Sequence, residues 1–176
     1  DNNGYVDDVH GINLIDPNET PMDDHGHGTH VAGIIAMENN NVGGVGIAYK
    51  SKIMPIKAGG SDGTFNSTDI AKAIVYAYKN GADVINMSFG SSAHSALIEN
   101  ALQDAFGSCV LVAAAGNKSV PTADCPLGGQ NMYPASYSYV IGVMAYDENN
   151  KFASFSNWDY KPNANAEYEV VAPGVS

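Results

Sequence analysis

The sequence predicts an α/β domain built on a mostly parallel sheet. Three observations carry that prediction. Short apolar runs that read as strands alternate with longer stretches of helical periodicity. Glycine is frequent, 19 of 176 residues, as expected when many turns separate short elements. Hydrophobic residues make up 44% and charged residues only 15%, so the chain is not of disordered composition and suits one domain with a real core.

The elements follow in order. Residues 1–24 are polar and turn-rich, with one apolar run at Ile12-Asn13-Leu14-Ile15. A helix pattern starts near His27 and runs through Val31, Ile34 and Ile35, and its small residues Gly28, Ala32 and Gly33 allow close packing. Ile53 to Lys57 reads as a short buried strand. Ser67 is read as the N-cap of a helix with Asp69 in its first turn; Ile70, Ala73, Ile74 and Ala77 fall at helical spacing, Lys79 sits in the last turn and Gly81 closes it. Val84 to Met87 follows as a strand. Leu97, Ile98, Ala101, Leu102 and Ala105 form the next helical face, closed by Gly107. Val110 to Ala113 and Val140 to Val143 are further strands. Strand, helix, strand, helix, strand implies right-handed crossovers, with ligands beyond the carboxyl ends of the strands. Two polar turns lie at such ends, Ser88-Phe89-Gly90 and Ala115-Gly116-Asn117. A nucleotide-binding domain shares this layout, but no G-x-G-x-x-G and no Walker loop opens any of these helices.

Charge narrows the partners. With 8 basic and 19 acidic residues the net charge is −11, which argues against nucleic acid or an anionic membrane. Acidity serves solubility or calcium binding equally well. No run approaches the roughly 20 apolar residues needed to span a bilayer, and no signal peptide is visible. Cys109 opens an apolar run and reads as a buried thiol; Cys125 lies among Pro and Gly in a loop. An oxidising compartment would allow them to pair, and the sequence leaves this open.

The densest chemical segment is Asp23-Asp24-His25-Gly26-His27-Gly28-Thr29-His30. Three readings compete. The histidines are ordinary polar and core residues; or His25, His27 and His30 ligate zinc in a hydrolase; or one of them is a general base, since imidazole can take a serine proton and return it to a leaving amine.

His27-Gly28-Thr29-His30-Val31-Ala32-Gly33 resembles, letter for letter, the histidine motif of the subtilisin-like serine proteases. The resemblance implies that His27 is the general base and His30 a packing residue. Val112-Ala113-Ala114-Ala115-Gly116-Asn117 is similar to the family's oxyanion segment, with Asn117 as side-chain donor. Asn86-Met87-Ser88-Phe89-Gly90 resembles the substrate-binding strand, which implies that Ser88, Phe89 and Gly90 pair with an extended peptide or protein substrate. The segment around Gly59-Gly60-Ser61-Asp62-Gly63 resembles the opposing edge. Ala153-Ser154-Phe155-Ser156-Asn157 and Val171-Ala172-Pro173-Gly174 are similar to segments that precede the nucleophile. The likeness runs from Asp23 onward, and it implies three layers, with helices on both faces of the sheet.

Calcium is implied as well. Glu38-Asn39-Asn40-Asn41-Val42-Gly43-Gly44 resembles the family's calcium loop, with a side-chain oxygen from Asn40 and carbonyls from Glu38, Val42 and Gly44. The family's aspartate ligand would fall upstream of residue 1, leaving the site incomplete. Asp1, Asn3, Asp7 and Asp8 are vaguely like a second calcium loop, but read better as a solvated acidic turn.

Two parts of the family triad have no match. No Asp-Ser/Thr-Gly occurs; Asp16 is followed by Pro17 and lies too close to His27. The Gly-Thr-Ser-Met-Ala nucleophile motif is absent, and Ser88 and Ser154 match structural positions. The expectation is a single domain over residues 1–176, incomplete and truncated at both ends, inactive by itself, from a secreted or cell-surface parent. A non-catalytic peptide-binding module, dimerising through exposed edges, is the alternative.

Overall fold

The computed structural model describes residues 10–160 and 167–175. The acidic turn containing Asp1, Asn3, Asp7 and Asp8 lies outside the described residues. The chain divides into two compact units, Asp1–Ala82 and Asp83–Ser176.

The first unit contains β1 (Ile12–Asn13), α1 (His27–Ala36), β2 (Ile56–Lys57) and α2 (Ser67–Lys79). β1 and β2 pair in parallel, Ile12 opposite Ile56 and Asn13 opposite Lys57. Both are shorter than the apolar runs that encode them. β1 stops because the Asn13 side chain folds back: its Oδ1 accepts from the N–H groups of Ile15 and Asp16, each at 2.9 Å. Upstream of β2, Pro55 has no N–H to give to a ladder, and its carbonyl accepts from Ile12 N at 3.1 Å. Gly11 makes that approach feasible. It has φ +95°, and a β-carbon there would sit 2.1 Å from the Pro55 oxygen.

α2 packs against β2. Ile70, Ala71, Ile74, Tyr76 and Ala77 are buried on it. The N-cap is Asn66, one residue before the expected Ser67. Asn66 is extended and its side chain accepts from Asp69 N at 2.8 Å, while Ser67 is already helical. Gly81, at φ +82°, follows the C-cap Asn80 as the left-handed residue that ends helices cheaply.

The second unit holds β3 (Val84–Met87), α3 (Ala96–Ala105), β4 (Val110–Ala114), β5 (Ile141–Tyr146) and β6 (Val170–Pro173). The four strands form one parallel sheet in the order β3-β4-β5-β6. α3 is the crossover from β3 to β4, started by Ser95, whose hydroxyl faces Ile98 N at 3.5 Å. Its inward side carries Leu102 and Ala105, both at 0% exposure, and the strands supply Met87, Leu111, Ala113 and Met144 to the core. Helices alternating with parallel strands are thus observed, as the periodicity predicts. β5 runs three residues beyond the expected Val143, because Ala145 and Tyr146 pair with Ala172 and Pro173 of β6.

Both cysteines are free thiols. Cys109 is half-buried instead of fully buried, and burial pushes its thiol up. Cys125, placed in a loop by the sequence, is buried.

Candidate active site

His27 is the first residue of α1. The N-cap position is Gly26, φ +94°, which has no side chain to cap with. Asp23 supplies the cap from three residues further back. Its Oδ1 accepts from His25 N at 3.1 Å and Gly26 N at 2.8 Å; its Oδ2 accepts from the N–H and the hydroxyl of Thr29, both at 2.7 Å. The Thr29 bonds, above all, hold the Asp23 carboxyl well below the usual carboxylate range. Two of the orphan N–H groups of the helix start, those of Gly26 and Thr29, are thereby satisfied, and the backbone carrying His27 is fixed on both sides. Beside it, Lys57 Nζ contacts Asp24 Oδ1 at 2.5 Å and draws that carboxyl down too.

His25 meets His27 edge-on, ring centroids 6.4 Å apart. The described residues contain no group of three His, Cys, Asp or Glu side chains able to hold a metal, so His25, His27 and His30 do not form a zinc centre there. His30, implied to be a packing residue, is exposed. No residue of α1 is fully buried, and Ile34 is 57% exposed.

Gly59 and Gly60 lie in the same unit. Gly59 bridges antiparallel to Phe65, so close that a β-carbon on Gly59 would lie 2.8 Å from the ring. Gly60 N–H donates to Thr64 O and its carbonyl accepts from Gly63 N–H, both at 3.0 Å, making a tight turn. In the calcium-loop candidate, Glu38, Asn40, Val42 and Gly44 are all exposed. Asn40 N–H donates to Glu38 O at 3.1 Å, and Asn40 Oδ1 accepts from Val42 N–H at 3.0 Å. The donors are all oxygens, the type a hard cation takes.

In the second unit, Ser88, Phe89 and Gly90 extend β3 past its carboxyl end, and Asn117 lies just past the carboxyl end of the adjacent β4. Asn86 Nδ2 donates to Ser88 Oγ at 2.9 Å. Met132 ties the two strand ends together. A β-carbon on Gly90 would sit 3.5 Å from its Cε, and one on Gly116 would sit 3.1 Å from its Cγ. The structure therefore brings Ser88–Gly90 and Asn117 to one edge of the sheet. It brings His27, Gly59 and Gly60 together only to the extent that they share the other unit.

The sequence profile of the subtilase family, Peptidase S8, matches residues 1–176. This chain belongs to the subtilase family. It is 41% identical over 169 residues to the thermophilic serine proteinase of Bacillus sp. strain AK1, covering 95% of this chain and 39% of that protein. It is 40% identical over 169 residues to subtilisin DY of Bacillus licheniformis, covering 96% of this chain and 58% of that one. Among solved structures it resembles Sphericase, TM-score 0.76 at 30% identity over 87% of this chain and 54% of that one. It also resembles the S41 psychrophilic protease, TM-score 0.72 at 32% identity over 84% of this chain and 52% of that one. The chain thus spans between 39% and 58% of the length of these relatives.

Subtilases are serine peptidases, and the subtilisin-like fold agrees with the parallel sheet. No helix among the described residues is long and apolar enough to cross a membrane.

Two residues of this subtilase escaped sequence reasoning. Asp23 has a weak local signal, an acceptor three residues before a glycine that opens a helix. Asn157 has none, because the groups it bonds lie 37 to 42 positions earlier.

Proposed function

We propose that this chain is the part of a subtilisin-like serine endopeptidase that carries the general base, His27, and the side-chain oxyanion donor, Asn117. One observation carries the reading: the motif His27–Gly33 begins a helix whose N-terminus Asp23 holds through four hydrogen bonds. In the acyl-transfer reaction His27 removes the proton from the attacking serine hydroxyl. It then returns that proton to the leaving amine. Asn117 donates its amide N–H to the oxygen that becomes negative as the carbonyl turns tetrahedral. Ser88–Gly90 and Gly59–Gly60 each offer main chain to an extended peptide substrate, which serves to align the scissile bond.

The serine and the aspartate come from outside these 176 residues, so the chain by itself does not turn over peptides. Loss of serine or histidine alone removes about six orders of magnitude from turnover, because the groups act as a unit. The test is to incubate the purified chain with a chromogenic peptide and a serine-directed fluorophosphonate. Background signal is the expected outcome. Turnover or labelling above a His27→Ala control would overturn the claim. The protein acts outside the cell or at its surface, in keeping with its bacterial subtilisin relatives.

The Asn40 side-chain oxygen and the carbonyls of Glu38, Val42 and Gly44 would hold a calcium ion, which would stiffen the segment that follows α1. The alternative reading, a non-catalytic peptide-binding module, keeps Ser88–Gly90 but gives His27 and Asn117 no chemical task. Strand edges and uncovered apolar side chains also suit pairing with a second copy.

A further inference from the structure

We infer that Asn157 is a positioning residue for the oxyanion donor, a role that rests on the reading of Asn117 given above. The Asn117 side chain is exposed and holds no hydrogen bond among the described residues. Its placement therefore comes from the peptide groups on either side of it. Both are gripped by one residue. Asn157, at 0% exposure, accepts through Oδ1 from Lys118 N–H at 2.9 Å and from Val120 N–H at 3.3 Å. Its Nδ2 donates to Ala115 O at 2.9 Å, and its main-chain N–H donates to Gly116 O at 3.0 Å. Gly116 turns the chain at φ +102°, and a β-carbon there would lie 2.8 Å from Asn157 Nδ2.

The grip is anchored in turn. Ser156 Oγ donates to Asn157 O at 2.8 Å and accepts from Ala145 N–H of β5 at 2.9 Å. Residue type matters, since a carboxamide offers a donor and an acceptor with two lone pairs on one short stem. Aspartate would keep the acceptor but turn a second oxygen toward the Ala115 carbonyl. Alanine would leave the N–H groups of Lys118 and Val120 and the Ala115 carbonyl without this partner. Oxyanion stabilisation depends on a donor fixed before the charge develops, and a misplacement of about 1 Å can cost roughly 10² in rate.

The experiment uses the full-length protease, with active sites counted by burst titration and folding followed by thermal melting. Asn157→Ala should lower kcat per titrated site at least tenfold and leave KM nearly unchanged. Asn117→Ala should lower it by roughly 10²–10³. The double variant should fall no further than Asn117→Ala, because one residue acts through the other. Asn157→Ser, whose hydroxyl can keep one of the bonds, should recover part of the loss, and it takes the place of alanine in the cycle if alanine does not fold. Per-site turnover within twofold of the parent in Asn157→Ala, or losses that multiply in the double variant, overturns the inference. Unchanged turnover in Asn117→Ala overturns the oxyanion reading beneath it, a separable result.

Discussion

Asp23 gathers four donors on two oxygens at the start of the helix that carries His27. Those bonds favour the ionised carboxylate, so its pKa in the folded protein lies below the 3.8 of a free side chain. A depressed carboxylate contributes stability that is fully present above the unfolded pKa and is lost as pH falls below it. Asp23→Asn keeps an oxygen acceptor but loses the charge, and should therefore cost roughly 0.3–1 kcal/mol near neutral pH, the scale of a surface carboxylate at a helix N-terminus. The gap between parent and variant should close as the pH drops below about 4. Chemical denaturation of the full-length protein across that range checks this, and a gap that stays constant would refute it. The histidine itself was legible in the sequence because its motif is seven contiguous residues. Asp23 stood in the same segment, but its bonds depend on Gly26 adopting φ +94°, which composition does not announce.

At the scale of elements, helices and central strands were read from periodicity with small errors of boundary. Those errors have local causes. Asn66 displaces Ser67 as cap because its longer side chain reaches Asp69 N while its backbone is extended. Asn13 and Pro55 cut the first two strands short through their own hydrogen-bonding habits. The loop after α1 is the element where chemistry remains to be tested. It returns to the helix through Gly46 N–H on Met37 O at 2.9 Å and Ile47 N–H on Ile34 O at 3.0 Å. A cation on the Glu38–Gly44 oxygens would tie that return down. Chelation of calcium from the full-length protein should lower its melting temperature by several degrees, with calcium but not magnesium restoring it, since the larger ion tolerates irregular carbonyl cages. Asn40→Ala should make the protein indifferent to chelator. A melting temperature unmoved by chelation would remove calcium from the account.

Over the whole chain, each unit buries a core and each leaves large apolar side chains exposed. The second unit has a closed core around Leu102, Leu111 and Tyr168, at 0%, 2% and 1% exposure. That unit also leaves Phe106 at 62% and Leu127 at 95%, while the first buries Ile74 at 2% and leaves Ile34 at 57%, Val42 at 73% and Ile47 at 91%. Exposed apolar side chains in such number promote association. The 176-residue chain should therefore sediment as concentration-dependent oligomers at micromolar levels, and Ile34→Lys with Ile47→Lys should weaken that. A monomer at every concentration would contradict it. The clasp of Asn157 on the turn after β4 has another consequence, in time. Its partners lie 37 to 42 positions back, so a chain emerging from the ribosome presents Asn117 long before it can hold it. The loop gains its final shape only once residues next to β5 have joined the sheet.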